Sequence, residues 1–136
     1  FNESMYFNFY DREARIGAFA LIGNRPNERY AEMTLAVYQA DGTALFNFKR
    51  PEIADNGAFD AGGMRFAVVE PFQHLRVTYD GHAFSLAQPR ALADPRPAFT
   101  SNPFKPVQLE LDWYGLSPMY GGTALEHSDM VFAKGH

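Results

Sequence analysis

The sequence contains no cysteine, no long apolar run and no excess of positive charge, and each absence excludes a class of protein. Without cysteine there is no disulfide, no thiolate nucleophile and no cysteine-ligated zinc site. No run approaches the roughly 18 apolar residues of a membrane helix, so we predict no membrane span. The 12 basic and 16 acidic residues give a net charge of −4. No basic stripe is present to neutralise phosphates, and we predict no nucleic-acid partner.

Recognisable catalytic and metal-binding motifs are also missing. There is no Gly-x-Ser-x-Gly elbow, no glycine-rich phosphate loop, no dinucleotide fingerprint and no His-Glu-x-x-His pair. Asp55-Asn56-Gly57 lacks the ligand order of a calcium loop and indicates a turn. The histidines share no metal-ligand spacing; they are His74, His82, His127 and His136. We therefore predict no metal and no cofactor. No signal segment is visible, so a cytoplasmic location is expected.

Aromatic residues are abundant, with 13 Phe, seven Tyr and one Trp. In residues 4–10, Met5, Phe7 and Phe9 would lie on one face of a strand, and Tyr6 and Tyr10 on the other. In an ordinary half-exposed strand only one face is apolar. Strands that are apolar or amphipathic on both faces must bury both, one in the interior and the other against a ligand, a second layer or a partner.

The spacing of short alternating segments predicts an all-β fold. Asp41-Gly42 and Asp80-Gly81 separate such segments and favour tight hairpins. No sustained helical period occurs, so little helix is expected, at most one turn in residues 52–59. We predict a single domain over residues 1–136, an antiparallel lipocalin-like barrel of about eight strands. The expected strands cover residues 4–10, 16–22, 30–39, 43–49, 64–70, 74–80, 83–86 and 107–116.

One long connection stands apart from these strands. Residues 88–106 contain five of the nine prolines and cannot form a central strand. Long loops of this kind often serve as lids or binding loops. Packing against another domain is the equal alternative.

Carboxylates alternate with apolar residues in two of the expected strands. Asp112 lies on the polar side of residues 107–114, and Glu32 on the polar side of residues 30–39. If these sides face the lumen, an apolar environment would raise the carboxyl pKa and make a proton donor. If they face outward, they form a solvated surface with ordinary salt bridges, which is the more common situation.

The inward arrangement predicts a set of site residues. Asp112 and Glu32 would be the catalytic acids, with Tyr114 and Tyr120 as hydrogen-bond donors. Arg25 and Arg50 would pair with the acids or close the barrel mouth. The apolar ligand-binding walls would be Phe7, Phe9, Phe46, Phe48 and Trp113.

Several strings in the chain resemble a known group of sequences. They are NESMYFNFYD at residues 2–11, RPNE at 25–28, FKRPEI at 48–53 and SPMYGG at 117–122. These strings resemble an uncharacterised bacterial domain family that is similar to the hydroxyneurosporene synthase/AttH-like proteins. The resemblance implies two consecutive lipocalin-like barrels, of which this chain would be the first. It also implies an apolar small molecule, as in the cofactor-free carotenoid hydratases and polyene cyclases among those proteins.

Three functional hypotheses follow from these observations. The first is binding of a terpenoid, steroid or polyene-like ligand, with this domain as half of a cofactor-free hydratase, lyase or cyclase. The second is a carrier module without turnover. The third is a scaffold, in which side chains fill the lumen and the outer aromatic face docks a second barrel or another copy of the chain.

Overall fold

The computed structural model describes the backbone of residues 2–117, 120–124 and 130–134, and the side chains of residues 2–117. The strands are β1 (Glu3–Asp11), β2 (Ile16–Arg25), β3 (Tyr30–Tyr38), β4 (Ala44–Lys49), β5 (Phe59–Ala61), β6 (Met64–Glu70), β7 (His74–Leu86), β8 (Phe104–Tyr114), β9 (Tyr120–Ala124) and β10 (Met130–Lys134). One α-helix, α1 (Pro95–Ser101), and two 3₁₀ turns, Pro26–Glu28 and Pro89–Ala93, complete the secondary structure of the described residues.

Eight strands form one antiparallel sheet, and β7 connects its two parts. The strands β1 to β4 form a meander, and β4 pairs with the second half of β7. The first half of β7 pairs with β6, which pairs with β5. The other edge of β7 is occupied by β8 from His74 to Phe84. The predicted all-β fold with little helix is therefore confirmed.

The main sheet is not closed into a barrel. Within the described residues, β1 pairs only with β2, β5 only with β6 and β8 only with β7. β9 and β10 form a separate two-stranded ladder. The structure thus has an eight-stranded sheet with three free edges, and the expected closed lumen is not observed in this part of the chain.

The core lies between the two parts of the curled sheet. It consists of inward-facing residues of β2, β3, β5, β6 and β7: Ala20, Ile22, Ala31, Met33, Leu35, Ala61, Met64, Phe66, Val77 and Tyr79. The amide of Asn47 is also buried there and donates to the Tyr79 hydroxyl at 2.9 Å and to the His82 carbonyl at 2.7 Å. Buried polar groups need such partners.

The prediction of a tight hairpin at Asp80-Gly81 is wrong, because β7 continues through both residues. The reason lies in the neighbouring aromatic side chain. Tyr79 folds over the glycine to donate its hydroxyl hydrogen to the His82 carbonyl at 2.6 Å. A Cβ at Gly81 would lie 2.7 Å from that hydroxyl oxygen. Glycine is needed here for a close approach of side chain to backbone. At Asp41-Gly42 the predicted turn is confirmed, between β3 and β4.

The proline-rich connection forms a cover on the outer side of the sheet. Its helix α1 inserts Phe99 between Phe46 of β4 and Phe84 of β7, with ring centroids 6.0 and 4.7 Å away. Residues 88–106 therefore contain the helix, whereas no helical turn forms at 52–59. Prolines at the start of α1 have the fixed φ of a first helical turn.

Candidate functional site

An apolar cleft lies between the edge strands β1 and β8. Along β1, Met5, Phe7 and Phe9 alternate inward and stay half-buried. The Trp113 ring of β8 lies between the two phenylalanines, with ring centroids 5.3 Å from Phe7 and 6.1 Å from Phe9. In the described part of the chain, each of these two strands has a neighbouring strand on one edge only. Their inward side chains therefore contact the core on one side and are uncovered on the other.

Three neighbouring cavities occupy this region. One, of 310 Å³, lies at Phe9, Leu111 and Trp113, with Asp112 at its rim. A second, of 320 Å³, includes Phe7, Trp113 and Leu75. The third, also of 320 Å³, lies at Met5 and Leu75. We call this region the aromatic cleft and define it by Met5, Phe7, Phe9, Leu75, Leu111 and Trp113.

Two features of the cleft differ from an ordinary packed core. The indole Nε1 of Trp113 is buried without a hydrogen-bond partner among the described residues, although buried donors normally have one. Phe72, at the edge of two of the cavities, has φ +63 and an exposed ring. Such a conformation is unusual for a bulky residue and is found at binding sites more often than elsewhere.

The predicted acid Asp112 lies on the outer side of β8, so the outward arrangement is the one observed. Its Oδ1 accepts a hydrogen bond from Arg76 Nε at 2.9 Å and lies 2.6 Å from His74 Nε2. These hydrogen bonds, first from Arg76 and then from His74, lower the pKa of Asp112 below its ordinary value. A proton donor at neutral pH requires the opposite shift. Tyr114 is exposed and stacks on His74 at 4.5 Å.

The second predicted acid, Glu32, lies in a separate outer cluster on β3. Its two oxygens accept hydrogen bonds from Arg50 at 2.8 Å and from Arg25 at 3.4 Å. The guanidinium of Arg50 lies over the Tyr30 ring at 5.5 Å. The negative charge of the Glu32 carboxylate raises the pKa of Arg25 above its ordinary value. The predicted pairing of both arginines with a carboxylate is observed, but on the surface and not at a lumen.

The structure thus brings together only part of the predicted site. Phe7, Phe9 and Trp113 meet in the aromatic cleft, whereas Phe46 and Phe48 lie on the outer face of β4 around a different cavity of 300 Å³. Tyr120 begins β9, and its side chain lies outside the described residues. The catalytic roles of Asp112 and Glu32 stay predictions without support from their surroundings.

Sequence reasoning missed several cleft residues. Leu111 shares the alternation that identified Trp113 and could have been found by the same signal. Leu75 and Phe72 lie in or next to β7, and nothing in their spacing indicates that β1 lies opposite. The contact depends on the curl of the sheet, which local periodicity does not specify.

Other candidate sites in the described part of the chain are less developed. A polar cavity of 450 Å³ along β7 and β8 is larger than those of the aromatic cleft, but its outer-face residues Asp80, Gln108 and Glu110 are solvated. Among the described residues, no group of three histidine or acidic side chains is arranged to hold a metal ion. No described helix is long and apolar enough to cross a membrane.

Comparison with known proteins gives a family and no function. Neither the curated proteins nor the solved structures include a significant match to this chain. One protein-family profile, described as a domain of unknown function, matches residues 1–136. The expected relation to an uncharacterised domain family is confirmed by this match. Because the match covers the whole sequence, the chain belongs to the family DUF7064.

Proposed function

We propose that this domain binds an apolar small molecule, of terpenoid, steroid or polyene type, in the aromatic cleft. The observation that carries the proposal is the open packing of Phe7, Phe9 and Trp113 between two edge strands. Ligand sites are typically concave, largely apolar and about 300–1,000 Å³ in volume. The cleft has these properties, and Trp113 Nε1 beside it has no hydrogen-bond partner among the described residues.

The proposal agrees with the resemblance to hydroxyneurosporene synthase/AttH-like proteins and favours a carrier over an enzyme. Turnover of an isoprenoid double bond without a cofactor would need a neutral acid beside the ligand. Asp112 borders the cleft, but Arg76 and His74 stabilise its ionised form. Under this proposal the aromatic cleft would take the place of a lipocalin-like lumen as the ligand site, and Asp112 at its rim would contribute little to affinity.

The single tryptophan makes the proposal directly testable. A conjugated polyene fatty acid, parinaric acid, absorbs where tryptophan emits, so its binding in the cleft should quench Trp113 fluorescence in a saturable manner. Phe7→Ala removes one wall, worth about 1.5–3 kcal/mol of apolar contact. We therefore expect the Kd measured by this quenching to rise about tenfold or more.

Matched variants separate the cleft from other sites. Phe48→Ala removes the same side chain at the outer cavity, and Asp112→Asn and Glu32→Gln remove the two acids; all three should leave the Kd within about twofold. If quenching is absent, or if Phe48→Ala weakens it more than Phe7→Ala does, the aromatic cleft is not the binding site.

A second candidate function is scaffolding, and one observation favours it. Tyr6, Tyr10 and Tyr38 stand on the outer faces of β1 and β3 with 60%, 66% and 53% of their surface exposed. Tyr10 and Tyr38 lie in register on either side of Gly17, and Tyr6 contacts Phe19 at 5.8 Å. An exposed aromatic patch of this kind commonly marks an interaction surface. A second barrel or another copy of the chain would be its partner.

A further inference from the structure

The outer edge of β8 is the longest free edge in the main sheet. All eleven of its residues are in register with β7, from Phe104 opposite Phe84 to Tyr114 opposite His74. In the described residues no strand lies on its other side. A free edge of this length presents unpaired N–H and C=O groups that readily accept another strand.

The strands β9 and β10 form a hairpin that is separate from the main sheet. Its ladder has five residue pairs, from Tyr120 opposite Lys134 to Ala124 opposite Met130. In the described part of the chain neither strand pairs with β1 to β8. An isolated two-stranded hairpin is marginally stable in water and needs further strands or a packing surface.

The order of the chain brings these two features together. β8 ends at Tyr114 and β9 begins at Tyr120, so five residues separate them, within the usual length of a hairpin connection. We infer that the β9–β10 hairpin adds to the free edge of β8, with β9 antiparallel to β8. A symmetric connection places Tyr120 opposite Tyr114 and Ala124 opposite Glu110.

The directions of the strands agree with the placement of β9 antiparallel to β8. Every neighbouring pair along β1-β2-β3-β4-β7-β8 is antiparallel. Adding β9 to the free edge of β8, with β10 beyond it, continues this alternation. The addition would extend the sheet from β8 on the side where the aromatic cleft is open, whether or not a ligand binds there.

Engineered cysteines test the addition in a chain that has none of its own. Opposite residues of adjacent antiparallel strands have Cα atoms about 4.5–5.5 Å apart, within the range for a disulfide. The double variant Glu110→Cys, Ala124→Cys should therefore form an intramolecular disulfide on mild oxidation, seen as a loss of about 2 Da in the intact mass. Thr78→Cys with Ala124→Cys is the control. Thr78 pairs with Glu110 from the β7 side, two strand spacings or about 10 Å from β9.

The possible results of this experiment either support or overturn the addition of the hairpin to β8. An intramolecular disulfide in the first variant alone supports the addition. A disulfide between two chains, equal yields in both variants, or none in a first variant that unfolds at the wild-type temperature overturns it. If the first variant does not fold, hydrogen exchange of the unaltered chain replaces it. The β8 amides that point away from β7 should then exchange slowly, and exchange at the rate of exposed loops would overturn the inference.

Discussion

At the scale of single residues, the charge of Asp112 is determined by two neighbours. Arg76 and His74 both hydrogen-bond its Oδ1 and stabilise the carboxylate. The pKa is therefore lower in the folded chain than the ordinary 3.8 that applies when it is unfolded. Such a group stabilises the fold above the unfolded pKa, and this contribution is lost as the pH falls through the folded pKa.

This linkage predicts a specific acid sensitivity. Between pH 6 and pH values below about 3.8, the free energy of unfolding of the wild type should decrease more steeply than that of Asp112→Asn, which cannot titrate at this position. Urea unfolding at several pH values measures the difference. Asp80→Asn is the matched control, because among the described residues the Asp80 carboxylate accepts a side-chain hydrogen bond only from the neutral Gln108 amide, at 3.3 Å. Parallel pH profiles for wild type and Asp112→Asn would contradict the assignment.

A second residue-scale prediction concerns the turn between β5 and β6. Gly63 has φ +93, and an added Cβ would overlap the carbonyl oxygen of Asp80. Gly63→Ala should therefore lower the free energy of unfolding by more than about 2 kcal/mol. Gly42 has a similar φ of +86 but open space around it, so Gly42→Ala should cost only about 1–2 kcal/mol. Equal losses in chemical denaturation would show that the contact with Asp80 does not matter.

The sequence predicted correctly which residues share one face of a strand. It did not predict which of the two faces is turned toward the core. The alternation of residues 107–114 is observed as written, because the period of two is intrinsic to a strand. Which side faces inward depends on the neighbouring strands. Phe46 and Phe48 face outward because their partners across the ladder, Ala36 and Thr34, lie on the outer face of β3.

At the scale of elements, β7 is stabilised by a buried polar network in its middle. Asn47 of β4 bonds both the Tyr79 hydroxyl and the His82 carbonyl, and Tyr79 bonds that carbonyl as well. The network joins β4 to β7 next to the point where β7 changes its partner from β6 to β4. Both side chains are almost fully buried, so every lost hydrogen bond leaves a group out of reach of water.

We expect Tyr79→Phe to lower the free energy of unfolding by about 1–3 kcal/mol, because it leaves Asn47 and the His82 carbonyl each without one partner. In a double-mutant cycle with Asn47→Ala the two losses should be non-additive by at least about 0.5 kcal/mol. Tyr38→Phe, which removes an exposed hydroxyl, should change stability by less than about 0.5 kcal/mol. Additive losses in urea unfolding would argue against a shared network.

Elements were the most predictable level of this fold. Alternating apolar residues and turn signals located most of the strands, since both are local properties. The failure at Asp80-Gly81 has a non-local cause, because β8 pairs across both residues and Tyr79 fills the space above the glycine. The helix α1 was missed because its prolines resemble a loop signal and its packing on Phe46 and Phe84 is tertiary.

At the scale of the whole molecule, the open side of the sheet determines what the domain can do. Half-buried aromatic side chains at two free edges lose contact area unless something covers them. The proposed ligand and the β9–β10 hairpin would cover different parts of this region. The predicted closure could not be assessed from sequence, since periodicity reports which face of a strand is apolar and not which strands are neighbours.

If the aromatic cleft binds an apolar molecule in the cell, the protein should retain it through purification. Native mass spectrometry of the protein from its own host should then show an adduct of terpenoid, steroid or polyene mass that organic extraction removes. The Phe7→Ala variant should carry less of it and Phe48→Ala an unchanged amount. An unliganded mass for protein prepared without detergent would favour the scaffold function.

The sharing of β7 also has a consequence for how the chain folds. The meander β1–β4 and the unit β5–β6–β7 each consist of contacts between neighbours in sequence, so both can form early. Their junction is three residue pairs long, Ala44, Leu45 and Phe46 opposite Leu86, Ser85 and Phe84, and it joins segments about forty positions apart. Contacts of such separation slow the search for the native topology. The rate of refolding should therefore depend on this short junction more than on the longer ladders of the meander β1–β4.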